Sequence, residues 1–371
     1  MDLEQLRKQI DIIDNQILSD FEKRMDLCRQ VALYKIENNL PVFHPGREKV
    51  IIDKVRDKSP EHLKDASAAL FTEIMDISKS LQQAEFFSNT RLSEAIPLRL
   101  SEKCSVGCQG TSGSNSEVAA RKLFPDNDIT FYNNFEDVFK AVEQGKIDFG
   151  IIPIHNSTAG SVTQSYDLMR KYNVYIVKTI KTEITNCLAV KKGTKLSDIK
   201  KVYSHPQALS QCSVYIGEHG FEPVESINTA TAAEYVSKSG VDCAAVCSES
   251  CADLYEMEIL EKGISNVIPN FTKFICISKD FRVSDDADTI SVNLKIPNSS
   301  GSLYRILTKF FIHNMNLSKI ESRPVADGSF DVLFYLDFNG KISDSKVQTL
   351  LAELSEELEY FKFLGNFSEI S

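Results

Sequence analysis

The chain of 371 residues exceeds the roughly 250 to 300 residues at which a single hydrophobic core stops growing, so the sequence predicts two or three domains. Hydrophobic residues make up 42% and charged residues 25%, as in ordinary soluble proteins, and no apolar run of about 18 residues predicts a membrane span. The formal net charge of −10 argues against nucleic acid as a partner, because phosphate backbones attract clusters of Lys and Arg.

The N-terminal sequence MDLEQLRKQID has no basic segment followed by an apolar stretch, so we expect no secretory signal and a cytoplasmic protein. Nine cysteines in a reducing compartment predict free thiols. Cys243, Cys247 and Cys251 are evenly spaced, which raises the possibility of a metal site. CAAVC has the composition of a buried strand, however, and no second ligand pair follows at zinc-site spacing, so core packing is the favoured interpretation.

The first 40 residues contain neither Pro nor Gly, and their apolar residues follow a heptad pattern that predicts one long helix ending near Asn39 and Pro41. These residues are Leu3, Leu6, Ile10, Ile13, Ile17, Leu27, Val31 and Tyr34. Two more helices are predicted at about 47–58 and 61–87. A helix of some 35 residues is about 50 Å long, too long for two shorter helices to cover. We therefore predict a dimer in which helices of two chains intertwine.

Several polar residues of this helical segment point to a ligand. Arg24 takes an a position where the heptad favours an apolar side chain, and Lys35, three turns later, points the same way. Arg7 faces about 100° away, so in a dimer it would reach the partner's site. Cations, a carboxylate and an amide suit a small dianion that carries a hydroxyl, although a solvated helix surface is the alternative for any single residue. The remaining members of the set are Arg47, Glu48, Ser78 and Gln82.

The string LRKQIDIIDNQIL, together with these polar residues, resembles the all-helical chorismate mutases over residues 1–88. The resemblance implies an all-α, three-helix domain that rearranges chorismate to prephenate without a cofactor, by electrostatic positioning. Arg24, Lys35 and the partner subunit's Arg7 would hold the carboxylates. The ether oxygen would accept hydrogen bonds from Lys35 and Gln82, and Glu48 would accept one from the ring hydroxyl. Arg47 would complete the cationic wall and Ser78 would contact a carboxylate; His44, where the family often has an acidic residue, is a departure.

Residues 88–102 lose the helical period and are interpreted as a linker. From Cys104 onward, short apolar segments alternate with amphipathic ones, which predicts an α/β domain with largely parallel sheets over residues 103–280. This span could hold two lobes with a cleft between them. The strand candidates are CSVGC, ITFY, DFGIIPI, VYIV, CLAV, KKVYS, CAAVC and TKFICIS.

Four loops of this domain follow predicted strands. The loop 110–116, GTSGSNS, precedes a helix, and its free backbone N–H groups with Ser114 and Ser116 suit an anion. The other loops lie at 153–160, 203–211 and 270–274, and ligands of α/β domains bind at the carboxyl ends of strands. His205 invites interpretation as a catalytic base, but a structural role before Pro206 is favoured.

These loops resemble those of prephenate dehydratase over residues 103–280. The resemblance implies a two-lobed fold like that of bacterial solute-binding proteins, with decarboxylation and dehydration of prephenate to phenylpyruvate between the lobes. Thr272 would donate to the leaving hydroxyl while Asn156, Ser204 and Gln211 orient the substrate, and further substrate contacts would come from Ser114, Ser116, Ser157 and Lys273. Three departures are His155 for glutamate, Lys273 for arginine and Asn115 for an aromatic residue; they could slow the dehydratase or alter its pH profile.

An acidic linker at 282–288 precedes a predicted βαββαβ order, the ferredoxin-like unit, over residues 287–371. Two segments resemble those of phenylalanine-binding ACT domains: Gly301, Ser302 and Leu303, and then Glu321, Ser322 and Arg323. Ser302 in place of alanine is a departure. The resemblance implies phenylalanine bound between subunits, which would shift the enzyme to a less active state.

The sequence thus predicts a bifunctional, phenylalanine-regulated enzyme, dimeric or tetrameric, with chorismate, prephenate and phenylalanine as ligands. It implies no cofactor and no metal, and it predicts neither a nucleic-acid nor a membrane partner. One alternative is an active mutase whose impaired dehydratase domain serves mainly as a phenylalanine sensor. Another is a ligand-binding sensor protein without catalytic activity.

Overall fold

The computed structural model describes residues 2–38, 40, 45–87, 95–100, 103–324 and 332–370. The chain forms two compact units, Met1–Glu94 with Thr289–Phe363 and Ala95–Asp288 with Leu364–Ser371. The predicted helix stop at Asn39 and Pro41, the residue His44 and most of the linker 88–102 lie outside the described residues.

The first unit begins with three helices, α1 (Leu3–Glu37), α2 (Pro45–Lys58) and α3 (Lys64–Phe87). A single 3₁₀ turn precedes α3. The Asp2 side chain accepts a hydrogen bond from the Gln5 backbone N–H and forms a capping box, which satisfies amides that the first turn leaves without a partner. The all-helical character that the heptad pattern predicted is confirmed.

The apolar stripe of α1 is exposed within one chain. All eight heptad residues of the stripe retain between 43% and 63% of their accessible surface. Only the second half of α1 packs on α3, where Ala32 is fully buried. A continuous apolar stripe of this length is unusual for a helix that remains in water, because burial of one such side chain contributes roughly 1.5–3 kcal/mol.

The second unit is an α/β structure with two main sheets. Its helices are α4 (Asn115–Leu123), α5 (Phe135–Glu143), α6 (Thr163–Lys171), α7 (Pro206–Gln211), α8 (Ser213–Glu218), α9 (Thr229–Ser237) and α10 (Glu249–Leu254). Its strands are β1 (Ile96–Pro97), β2 (Val106–Gln109), β3 (Ile129–Tyr132), β4 (Phe149–Asn156), β5 (Gly160–Ser161), β6 (Tyr175–Glu183), β7 (Cys187–Val190), β8 (Lys201–Ser204), β9 (Glu222–Glu225), β10 (Cys243–Cys247), β11 (Glu258–Lys262), β12 (Phe271–Ser278), β13 (Arg282–Val283) and β18 (Glu369–Ile370).

The two sheets define two lobes. One sheet has the order β18-β6-β12-β4-β2-β3, with β5 on β4, and the other has the order β11-β7-β10-β8-β9. The prediction of largely parallel sheets is confirmed, since most strands of each sheet run in one direction. Besides the short β5, the exceptions are β12, which runs antiparallel to β4 and β6, and β7, which runs antiparallel to β10 and β11. The reason is topological: the chain crosses from the first lobe to the second after β6 and returns at β12. As a result, β12 in the first lobe and β7 in the second run opposite to the strands on either side of them.

The cores of the lobes are apolar and separate. In the first lobe Phe124, Phe149 and Phe274 pack among aliphatic side chains. In the second lobe Cys243, Cys247 and Cys251 are buried with alanines, the core packing that their sequence pattern favoured. None of the helices in the described ranges is long and apolar enough to cross a membrane.

The C-terminal module belongs to the first unit and has the predicted βαββαβ order. Its elements are β14 (Thr289–Lys295), α11 (Ser302–Ile312), β15 (Leu317–Pro324), β16 (Val332–Asn339), α12 (Ser345–Glu357) and β17 (Phe361–Phe367). The sheet order β15-β16-β14-β17 is that of the ferredoxin-like unit. Helices α11 and α12 also pack against α3 of the helical segment.

Candidate functional sites

Helices α1 and α3 bring together four of the predicted residues of the helical segment. The Arg24 guanidinium donates hydrogen bonds to the Ser78 hydroxyl and, at 3.4 Å, to the Ile74 carbonyl. The Lys35 ammonium lies 3.3 Å from Oε1 of Gln82. Ser78 and Gln82 are buried one turn apart on α3, so a single face of this helix receives both cations.

The electrostatics of this face suit an anionic ligand. Burial and the nearby Arg47 guanidinium lower the pKa of Lys35, because both disfavour the charged ammonium. Gln82 directs one Nε2 hydrogen to the Ser78 carbonyl at 3.3 Å. No acceptor for its second N–H is found among the described residues, so this hydrogen is available to a ligand.

Glu48 lies on α2 beside a second group of charges. Its carboxylate is 3.2 Å from the Lys79 ammonium and 3.9 Å from the Arg305 guanidinium. Lys79 also contacts Asp76 at 2.8 Å. Sequence reasoning missed Asp76 and Lys79, although both stand on α3 within four residues of Ser78 or Gln82.

Arg7 does not join these residues within one chain. It is exposed on the first half of α1, and the 17 residues that separate it from Arg24 span about 25 Å of helix. One chain therefore cannot aim both cations at the same small ligand.

In the α/β unit, strand register brings Thr272 beside Asn156. Thr272 of β12 stands opposite Asn156 of β4 on one side and Thr182 of β6 on the other, so these three side chains share one face of the sheet. The Asn156 amide donates to the Thr272 hydroxyl at 2.9 Å and to Oδ1 of Asn270 at 2.9 Å. Thr182 is buried, and its hydroxyl has no hydrogen-bond partner in the described part of the chain.

Gln211 reaches this cluster from the second lobe. At the end of α7, its Nε2 donates to Oδ1 of Asn156 at 3.2 Å and to the Thr158 hydroxyl at 2.7 Å. Its Oε1 accepts from Asn270 at 3.2 Å. A cleft of about 310 Å³ opens beside these groups. It is lined by Thr158, Ala159, Gln207, Ser210, Gln211, Ser265, Asn266, Val267 and Asn270.

The hydrogen bonds around Thr272 leave its hydroxyl hydrogen available as a donor. A hydroxyl has one donor hydrogen and two acceptor lone pairs. Asn156 occupies one lone pair, and the structure shows no acceptor for the Thr272 hydrogen among the described residues. The hydroxyl is therefore set to donate to a ligand.

Ser157 supports this cluster through the backbone. Its hydroxyl accepts from the Phe271 N–H at 2.8 Å, and its own N–H donates to the Phe271 carbonyl at 2.8 Å. Ser204, by contrast, is fully buried and donates to the Val246 carbonyl at 2.6 Å, so no hydrogen bond joins it to Asn156 or Thr272 in the described structure.

His205 is the N-cap of α7, where its Nδ1 accepts from the Gln207 N–H at 3.2 Å, and burial lowers its pKa. This is the structural role that the sequence favoured.

Lys273 lies on the opposite face of β12 from Thr272. Its ammonium forms an ion pair with Glu369 of β18, and its strand partner on β4 is His155. The two departures from the dehydratase pattern therefore stand side by side. The structure does not bring Lys273 together with Thr272, because neighbouring residues of a strand point to opposite faces.

The GTSGSNS loop already contains an internal anion. Ser114 caps α4, and the buried Glu117 carboxylate accepts from the Gly113 N–H at 2.7 Å. Arg121 pairs with the same carboxylate at 2.8 Å, and Ser116 is buried in the first turn. One of the backbone donors predicted to face a ligand, the Gly113 N–H, thus binds Glu117 in this structure.

Sequence reasoning missed Thr158, Asn270 and Thr182. Thr158 and Asn270 neighbour predicted residues in the same loops, and their polarity at strand ends is a signal that could have identified them. Thr182 gives no such signal, since only the register of β6 with β12 places it beside Thr272.

In the C-terminal module, the two predicted segments lie on different elements. Gly301 adopts a left-handed backbone (φ 81°) and begins α11, while the Ser302 hydroxyl lies 2.6 Å from that of Ser299. Glu321 and Arg323 form a 3.7 Å ion pair on β15, an edge strand of the sheet. Leu303 is partly exposed, and so is Ser322 on the other face of β15.

No group of three His, Cys, Asp or Glu side chains among the described residues is placed to hold a metal ion.

Comparisons with known proteins match two parts of the chain to two families. The model of the prephenate dehydratase family matches residues 106–282, and that of type II chorismate mutases matches residues 6–83. The bifunctional chorismate mutase/prephenate dehydratase of Escherichia coli (strain K12) is 30% identical over 97% of this chain and 94% of its own length.

Two further relatives match the latter part of the chain. Arogenate dehydratase/prephenate dehydratase 1 of Arabidopsis thaliana is 35% identical over 71% of either chain. Among solved structures, the prephenate dehydratase of Arthrobacter aurescens in complex with L-Phe superposes with a TM-score of 0.66 and 28% identity. That superposition covers 71% of this chain and 89% of the other.

Proposed function

Because the chain belongs to the family of bifunctional chorismate mutase/prephenate dehydratases, we propose that its two reactions take place at the two polar clusters described above. The protein rearranges chorismate to prephenate and converts prephenate, with loss of carbon dioxide and water, to phenylpyruvate, the keto acid from which phenylalanine is made. The observation that carries the assignment is that each compact unit holds one cluster with the chemistry of one step.

The mutase reaction is assigned to the face between α1 and α3. The rearrangement needs a flexible dianion held in a compact conformer and donors at the ether oxygen as it gains charge. Arg24 and Lys35 hold the carboxylates, with Ser78 beside Arg24 and Arg47 beside Lys35. Lys35 and Gln82 donate to the ether oxygen, and Glu48 accepts from the ring hydroxyl.

We extend this site across two subunits. The exposed apolar stripe of α1 and the distance of Arg7 from Arg24 support an intertwined homodimer. The partner subunit's Arg7 then completes the cationic wall. Pairing of the stripes buries side chains that one chain leaves in water.

The dehydratase reaction is assigned to the cleft beside Thr272. Loss of the hydroxyl needs a proton or a hydrogen bond on the leaving oxygen, and Thr272 has its donor hydrogen directed away from Asn156. Asn156, Gln211 and Ser157 keep this hydroxyl in place. In this assignment Ser204 supports the adjoining strand, Lys273 lies on the opposite face of β12, and Ser114 and Ser116 shape the loop at 110–116.

We assign phenylalanine binding to the C-terminal module, a predicted ACT domain. The support is its ferredoxin-like topology and the two segments at Gly301–Leu303 and Glu321–Arg323, on α11 and an edge strand. An edge strand can pair with the same strand of another subunit.

Separate assays of the two reactions test the assignment. Lys35→Ala is expected to abolish chorismate consumption and to leave phenylpyruvate formation from prephenate unchanged, with Lys8→Ala, an exposed lysine of α1, as the matched control. Equal loss of both activities in Lys35→Ala would contradict separate sites. Absence of phenylpyruvate above the level of Thr272→Ala would instead favour an impaired dehydratase that serves as a sensor.

A further inference from the structure

An ionic cluster joins the C-terminal module to α3 in the first unit. The Arg305 guanidinium of α11 donates two hydrogen bonds, of 2.9 and 3.1 Å, to the Asp76 carboxylate of α3. The Asp76 side chain is only 1% exposed, so its carboxylate is removed from water, whereas the Arg305 side chain remains 42% exposed. A bidentate Arg–carboxylate ion pair is among the most directional polar contacts in proteins.

The same cluster contains the proposed mutase carboxylate. Lys79 lies 2.8 Å from Asp76, 3.2 Å from Glu48 and 3.8 Å from Glu357 of α12. Arg305 lies 3.9 Å from Glu48. Glu48 is therefore flanked by two cations, one from α3 and one from the C-terminal module.

Charge balance makes Arg305 necessary to this arrangement. Glu357 also pairs with Lys309 at 2.9 Å, so Lys79 and Arg305 mainly balance Asp76 and Glu48. Without Arg305, the ammonium of Lys79 is left between the Asp76 and Glu48 carboxylates in a partly buried site. Like charges at this distance repel, and the more exposed of the two, Glu48, moves more easily.

We propose that Arg305 is a positioning residue of the mutase site, which holds Glu48 where it meets the ring hydroxyl of chorismate, so that the C-terminal module completes the mutase. The inference rests on the proposed function, in which Glu48 contacts the substrate. It extends that function because Arg305, a residue outside the mutase segment, positions a group that the mutase reaction needs.

A double-mutant cycle in the full chain tests the proposal. Arg305→Met is expected to lower mutase kcat/KM roughly tenfold to a hundredfold, as misplacement of a contact group by about 1 Å does. In a Glu48→Gln background the same change should lower it less than about twofold, because Arg305 acts through Glu48. Arg305→Lys, which keeps the charge but loses the two-pronged grip, should recover part of the loss.

Two controls separate the outcomes. Dehydratase activity of each variant reports on folding, and Lys346→Met removes an exposed cation from α12 and should leave both activities unchanged. If Arg305→Met loses both activities, Arg305→Lys replaces it in the double-mutant cycle. No loss, or an equal loss in both backgrounds, overturns the positioning role while leaving the mutase assignment intact. If Glu48→Gln alone leaves kcat/KM unchanged, the assignment of Glu48 fails as well.

Discussion

At the scale of single residues, the two sites use opposite chemistry. The proposed mutase cluster relies on charge, and burial and the Arg47 guanidinium lower the pKa of its Lys35. The proposed dehydratase cluster relies on neutral amides and hydroxyls, with Asn156 hydrogen-bonded to the others. The pH dependence of the two reactions should therefore differ.

We predict an alkaline limb for the mutase that reflects Lys35. Lys35 binds an anion only as the ammonium, so activity is complete below its pKa and is lost as pH rises through it. Because the pKa lies below the usual 10.5, the limb falls at a lower pH than an ordinary lysine would give. Arg47→Gln removes one of the two causes and should move the limb to higher pH.

Profiles of kcat/KM against pH, measured with chorismate for the parent chain and Arg47→Gln, check this prediction. The dehydratase profile of the same two proteins is the control. A limb that stays in place, or that moves equally in both reactions, would contradict the assignment to Lys35.

Thr272 provides the corresponding prediction for the dehydratase. Thr272→Val keeps the shape of the side chain but removes the hydroxyl, and we expect kcat with prephenate to fall on the order of a hundredfold or more. Thr272→Ser keeps the donor and should retain most of the activity. Phenylpyruvate formation is the measurement, and a Val variant as active as the Ser variant would exclude the proposed donor.

At the scale of elements, the loop that leads into α4 shows how packing limits sequence. Gly113 has φ +85°, and a Cβ there would lie 3.1 Å from Cδ2 of Leu254 and 3.3 Å from Sγ of Cys251. Those two residues belong to α10 of the second lobe. The glycine therefore permits both the turn and the close approach of the lobes.

Gly113→Ala should destabilise the α/β unit by about 1–2 kcal/mol from the left-handed backbone, with a further cost from the contacts. Urea midpoints, followed by dehydratase activity, measure the change. Gly217→Ala is the matched control, since it lies in α8 with open space around its Cβ position and should be neutral or slightly stabilising. Equal midpoints for the two variants would show that Gly113 is not constrained.

At the scale of the whole molecule, the exposed stripe of α1 predicts assembly. Ile10→Glu combined with Ile17→Glu places two charges in the stripe and should convert the dimer to monomers. Mutase activity should fall with it, because the partner's Arg7 is lost from the site. Light scattering after size-exclusion chromatography gives the mass, and assays of both reactions give the activity.

Ser19→Glu adds one negative charge to α1 outside the stripe, and it should leave the mass of the assembly unchanged. A monomeric double variant that keeps full mutase activity would rule out a site shared between subunits. Dehydratase activity in the same samples shows whether each chain remains folded.

The sequence by itself determined the elements and most of the chemistry. Heptad and alternating patterns predicted all three N-terminal helices and the βαββαβ order, because these patterns depend on local periodicity. Helical spacing also predicted that Arg24 shares a face with Lys35, and Ser78 with Gln82, since residues one or three helical turns apart point the same way.

Only the tertiary structure decided what depends on distant partners. The antiparallel direction of β12 follows from its pairing with β4 and β6, strands far apart from it in sequence. The same register places Asn156, Thr272 and Thr182 in one row and Lys273 on the opposite face. The grip of Arg305 on Asp76 joins residues 229 positions apart, and the occupation of the GTSGSNS loop by Glu117 follows from how that turn closes. Local pattern carries no information about such pairs, because which buried charges and hydroxyls meet is settled when the elements pack.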